Sequence, residues 1–98
     1  MIEDLDPVIH APKRLAAMAM LSSASSVSFT FLREHLDISD SDLSKQMATL
    51  EKAGYVETTK SGRGRGASTT FRITAVGRRA YARHRAALAA ILAGPEGA

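Results

Sequence analysis

The chain contains no cysteine, which excludes disulfides, thiolate metal ligands and a cysteine nucleophile together. Its histidines, His10, His35 and His84, stand singly, with no pair at the i, i+4 spacing that puts two ligands on one helix face. No resident metal or cofactor is expected. No apolar run approaches the roughly 20 residues of a membrane span. The opening MIEDLDPVIH is acidic where a signal peptide would be basic, so a soluble cytoplasmic protein with no membrane partner is the expectation. The glycines of SGRGRGAST lack the trailing lysine of a phosphate loop and lead toward a strand, whereas phosphate loops open a helix. No serine sits in a nucleophile elbow and no carboxylate pair is framed by a cleft motif. Enzyme is therefore the weakest class.

What is present is an ordinary globular composition, 45% hydrophobic and 23% charged in 98 residues. A chain of this size buries about 60 to 65% of its surface around one core, so residues 1–98 read as a single domain. The net charge of +3 is unevenly placed. Residues 1–50 carry four Lys or Arg against seven Asp or Glu, a net −3, and residues 51–98 carry nine against three, a net +6. Such segregation builds a positive face, whose commonest partner is a polyanion.

Pro12 suits a first helical turn, and KRLAAMAML then repeats Leu15, Met18 and Leu21 every three residues, which predicts a helix over 12–22. Ser28 can cap a second, shorter helix, FTFLREHL, with Phe29, Leu32 and Leu36 on one side. In DISDSDLSKQMATLEKAGY, Ser39 is an N-cap and Asp42 forms a short capping box with it. Leu43, Met47 and Leu50 fall at i, i+4 and i+7, and Gly54 ends the helix, predicted over 40–53. The period then changes to two. Strands over 55–60 and 68–74 flank the glycine-rich tip as a two-stranded hairpin. Thr74 caps a last helix over 75–92, before Gly94 and Pro95.

Only Asp37, Ile38 and Ser39 separate the second and third helices. That is helix-turn-helix spacing, in which the second helix is held by its apolar stripe and offers its other face to a major groove about 12 Å wide. With Leu43, Met47 and Leu50 inward, Ser41, Asp42, Ser44, Lys45, Gln46 and Thr49 are assigned to the outward face. Gln46 can pair twice with adenine, Lys45 can reach guanine or phosphate, and the hydroxyls of Ser41, Ser44 and Thr49 serve either. Asp42 is assigned to capping. Lys60, Arg63 and Arg65 make the hairpin tip cationic, and its glycines let it follow a backbone or a narrow minor groove.

Three strings, LDPVIHAPKRLAAMAML, FTFLREHLDISDSDLSKQMATLEKAGYVE and TTFRITAVGRRAY, resemble the small bacterial and archaeal winged helix-turn-helix transcriptional regulators, near the MarR and ArsR groups. The resemblance spans about residues 5–92. It implies a mainly α fold with a small β-hairpin: a three-helix core, a wing and a C-terminal dimerisation helix. It further implies that helix 40–53 reads double-stranded DNA, that the wing at 61–67 touches flanking backbone, and that residues 1–11 join helix 75–92 in a dimer. Ser41, Ser44, Lys45, Gln46 and Thr49 then become base or phosphate contacts, with Arg63 and Arg65 on the wing.

Dimerisation also has a physical basis. One reading helix covers about half a turn of DNA, so specificity rises if two copies bind half-sites roughly 34 Å apart. Leu5, Val8 and Ile9, with Tyr81, Leu88, Ile91 and Leu92, exceed what a three-helix core can cover and are assigned to a homodimer interface. Related regulators bind aromatic effectors at their dimer interfaces, and Phe29, Phe31, Tyr55, Phe71 and Tyr81 could line such a small-molecule site. Five aromatics in a domain that needs a core are more simply that core. The competing functional class is a winged-helix module for an acidic protein or RNA. The polar face of Lys45, Gln46 and Thr49 favours DNA, since protein-binding helices expose an aromatic or leucine anchor.

Overall fold

The computed structural model describes residues 1–64 and 67–95. A short 3-10 turn, Ile2–Asp4, precedes helix α1, Pro12–Ser22. A two-residue strand β1, Val27–Ser28, leads directly into α2, Phe29–Leu36, and α3 follows over Asp40–Lys52. Strands β2, Val56–Ser61, and β3, Ser68–Ile73, form the hairpin, and α4, Ala75–Ala93, closes the chain.

The helix boundaries follow local chemistry. Ser28, Ser39 and Thr74 are extended at their helix entries, and each side-chain oxygen accepts from the backbone N–H three residues on, at Phe31, Asp42 and Gly77. Each cap satisfies a donor that the helix leaves unpaired, worth about 1 kcal/mol. After α3, Gly54 takes a left-handed φ of +83° that a side chain would resist. This turn sends Tyr55 back so that its N–H donates to the Leu50 carbonyl.

The sheet has three strands where the sequence predicts two. Its order is β1-β3-β2, all antiparallel, with Val27 opposite Phe71 and Val56 opposite Ile73. A two-residue strand has no period to detect, so β1 is invisible in sequence and is fixed only by pairing with β3. The buried faces of Val27, Val56, Phe71 and Ile73 meet Met18, Leu21, Leu32, Leu43, Met47 and Leu50 in one core. Ile9, placed at a dimer interface by sequence, is instead fully buried in this core. The Asp6 carboxylate accepts from the Val8 and Ile9 amides, a tight turn that aims Ile9 inward. No helix among the described residues is long and apolar enough to cross a membrane.

Candidate nucleic-acid interface

The corner between α2 and α3 is made by Asp37, in a left-handed conformation with φ of 53°. Aspartate tolerates this region better than most residues, and it lets the Ile38 N–H donate to the Arg33 carbonyl at 3.3 Å. An ion pair from Arg33 to Asp40, 2.9 Å, spans the same corner. The orientation of α3 is set from below by Leu43, Met47 and Leu50, all essentially buried. Each contributes about 1.5 to 3 kcal/mol through burial, far more than any exposed polar contact could recover by turning the helix over.

The strip opposite that apolar stripe comprises Ser41, Lys45, Ala48 and Lys52, with Ser44 beside it, all exposed. Ser41, Ser44 and Lys45 therefore lie where the sequence puts them. Ala48 and Lys52 complete the strip and escaped the sequence reading of this face, although continuing the i, i+4, i+7, i+11 series from Ser41 would have found both. A methyl such as that of Ala48 is suited to a thymine methyl. Thr49 is half-buried, and its hydroxyl donates to the Lys45 carbonyl one turn back at 3.1 Å.

Gln46 and Asp42 depart from expectation. Gln46 is half-buried on the flank facing α1, where its Oε1 accepts from Arg14 Nη1 at 2.7 Å and its Nε2 donates to Asp42 Oδ1 at 2.9 Å. Both ends of the amide are thus occupied from within the protein. Asp42 is not the capping side chain. Ser39 performs the capping, while the Asp42 carboxylate pairs with Lys13 and Gln46. Those hydrogen bonds hold the Asp42 carboxyl below its ordinary range, Gln46 first and Lys13 second. This resolves an acidic residue at the start of α3: its charge is spent on Lys13 of α1, which draws α1 and α3 together. Arg14 extends the linkage, its Nε donating to the Val8 carbonyl at 2.6 Å.

The hairpin stands beside α3. A cleft between them is lined by Ser44, Ala48 and Glu51 on the helix and Thr58, Lys60 and Thr69 on the strands. Lys60 and Arg63 are exposed near the tip; Arg65 lies outside the described residues. Arg72, lower on the hairpin, is paired with Glu57. Among the described residues, Lys45, Lys52, Lys60 and Arg63 make no salt bridge.

Residues 13–92 match the family described as winged helix DNA-binding domain. The chain belongs to that family. The winged helix architecture expected from sequence is thereby borne out: α1, α2 and α3 are its three-helix core and β2–β3 its wing. A transcriptional regulator homologue from Pyrococcus horikoshii OT3 is similar in structure, with a TM-score of 0.82 at 28% identity over 89% of this chain and 86% of that one. An uncharacterized protein of Methanocaldococcus jannaschii is 31% identical over 74 residues, 76% of this chain and 80% of its own. The transcriptional regulator BldR from Sulfolobus solfataricus, at 17% identity, shares the fold alone, with a TM-score of 0.71 over 85% of this winged helix chain and 58% of that protein.

The remaining residues assigned from sequence are scattered over several elements. Val8 and Tyr81 pack against the core. Leu5, Leu88 and Ile91 are half-buried, and Leu92 is 78% exposed. The aromatics do not converge on one pocket. Phe71 is buried and pairs with Phe29 at 6.2 Å between ring centroids, whereas Phe31 is exposed and stacks on His35 at 3.8 Å. The fold also joins two histidines that looked isolated: His10 and His84 lie 3.2 Å apart, nitrogen to nitrogen. Their 74-residue separation in sequence hid this meeting.

Proposed function

We propose that this chain is a homodimeric, sequence-specific transcriptional repressor that reads duplex DNA with α3 and touches flanking backbone with its wing. The observation that carries this reading is the strip Ser41, Ser44, Lys45, Ala48 and Lys52. It is exposed, polar or cationic save for one methyl, and rigidly backed by Leu43, Met47 and Leu50. Ser41, Ser44 and Lys45 act as base or phosphate contacts, Ala48 as an apolar contact, and Lys60, Arg63 and Arg65 as cations for the backbone. Gln46 and Thr49 contribute chiefly by holding α3 in place. The Pyrococcus horikoshii relative described as a transcriptional regulator homologue supports the regulatory assignment.

Selection of bound sequences from a random duplex pool tests this directly, and a reproducible motif is expected. On that motif, Lys45→Ala should cost about 1 to 3 kcal/mol and relax preference at one position, whereas Arg63→Ala should weaken all sequences alike. A pool that yields no enriched sequence overturns specific recognition.

The dimer rests on α4. Helix α4 runs nineteen residues, about 28 Å. Its outer half carries Leu88, Ile91 and exposed Leu92, and α4 also contacts the turn bearing Ile2, 73% exposed. An alanine-rich helix with such a stripe allows a second copy to pack closely. Light scattering at micromolar concentration is expected to give twice the 10.4 kDa chain mass, and Leu92→Glu to return the value to that of one chain. A wild-type protein of 10.4 kDa would remove the dimer from the proposal.

A further inference from the structure

His84 is fully buried in the middle of α4, and DNA reading makes no use of it. The Asp6 backbone N–H donates to its Nδ1 at 3.1 Å, so that nitrogen carries a lone pair. The ring hydrogen therefore sits on Nε2, which lies 3.2 Å from His10 Nδ1 and donates to it. His10 Nδ1 must in turn carry a lone pair. Backbone geometry thus fixes both rings as neutral and fixes both tautomers.

We infer that Asp6, His10 and His84 form an acid-sensitive latch holding residues 1–10 against α4. A proton added to His84 Nδ1 faces the Asp6 N–H across 3.1 Å. A proton added to His10 Nδ1 faces the His84 Nε2–H across 3.2 Å. The second conflict can be relieved only by moving the His84 hydrogen to Nδ1, which recreates the first. No placement of one added proton preserves both hydrogen bonds.

The groups around the pair reinforce this. On the N-terminal side, Asp6 attracts a proton toward His84, but its carboxylate is already engaged: Oδ1 by the Val8 and Ile9 amides and Oδ2 by the Tyr55 hydroxyl at 2.5 Å. That hydrogen bond raises the Tyr55 hydroxyl above its ordinary range, while Arg83 of α4 acts in the opposite sense. From α1, Arg14 donates to the Val8 carbonyl. Burial, then the neighbouring His10, push His84 below the ordinary histidine value of 6.5, outweighing Asp6. The released segment gives a histidine free to protonate. The latch is therefore fully closed above about pH 6.5, and its stabilisation is lost as pH falls through the lower value of the docked state.

Release has structural consequences, because this segment carries Ile9 into the core and lays the Ile2–Asp4 turn against α4. Tyr55 places the same network at the exit of α3, one residue beyond Gly54.

The test is nuclear magnetic resonance on the ¹⁵N-labelled full chain between pH 8 and pH 5. At pH 8, His84 is expected as the neutral Nε2–H tautomer, with ¹H–¹⁵N NOE values for residues 2–9 matching those of α1. Toward pH 5, those values should fall while Leu43 and Leu50 remain rigid. His84→Asn keeps an acceptor for the Asp6 N–H and cannot titrate, so the segment should stay docked at pH 5. Should that variant fail to fold, His10→Ala, at an exposed position, is expected to move the opening midpoint to lower pH, because removing a neighbour that disfavours the charged ring narrows the gap between the docked and released states. A charged His84 with residues 2–9 still rigid, or a midpoint unmoved by His10→Ala, would overturn the latch.

Discussion

Raising monovalent salt from about 50 to about 200 mM is expected to weaken duplex binding by on the order of 10³-fold. The size of the effect follows from the surface. Each chain offers Lys45, Lys52, Lys60 and Arg63 without an ion pair among the described residues. Two chains neutralising about six phosphates would give a slope of about −5 in log affinity against log salt, at about −0.9 per phosphate. The strongly ion-paired cations do not enter this count, because Lys13, Arg33 and Arg72 are committed to Asp42, Asp40 and Glu57. Fluorescence anisotropy on a labelled duplex reads the slope. A flat response would mean that the exposed cations meet no phosphates, and would favour an acidic-protein partner bound through other contacts.

Gly77→Ala is expected to cost about 1 to 3 kcal/mol of stability or more, lowering Tm by on the order of 10 °C for a domain of this length. Gly77 lies in the first turn of α4, where a Cβ would sit 2.2 Å from the Tyr55 carbonyl oxygen, 2.9 Å from its carbon and 3.0 Å from Ile73 Cγ1. Two of the three are backbone atoms and cannot rotate away. They are also fixed from the other side, since the Thr74 N–H donates to that same Tyr55 carbonyl at 3.0 Å and the Thr74 hydroxyl donates to the Gly54 carbonyl at 2.6 Å. The substitution should raise intrinsic helix propensity by about 1 kcal/mol, so a stabilised variant in thermal denaturation would show that α4 can slide away from the α3 exit.

These two outcomes draw on different kinds of information. Part of the strip was readable because a helix imposes its period on every residue: once Leu43, Met47 and Leu50 point inward, Ser41, Ser44 and Lys45 must point outward. The caps at Ser28, Ser39 and Thr74 were readable for a similar reason, since their oxygens act over three residues. Gln46 was misplaced because the edge of a helix face is decided by a neighbour, here Arg14 of α1, thirty-two residues away. The third strand and the His10–His84 meeting share that character. Each depends on partners far apart in the chain, and neither has a periodic or local signature. The role of Gly77 belongs with them, because only the approach of Tyr55 reveals why a side chain is missing there.

The unequal lengths of the three strands have a mechanical consequence for the wing. β1 pairs only with Phe71 and Thr70, so the root of the hairpin is clamped between a neighbouring strand and the core. Beyond it, the Lys60–Thr69 and Ser61–Ser68 pairs are joined only to each other and exposed or nearly so on both faces. The result is a cantilever in its pairing: the root of the hairpin is held by three strands, and Lys60 by two. Bending near Thr59 and Thr70 would displace Lys60 while Leu43, Met47 and Leu50 keep α3 seated on the core.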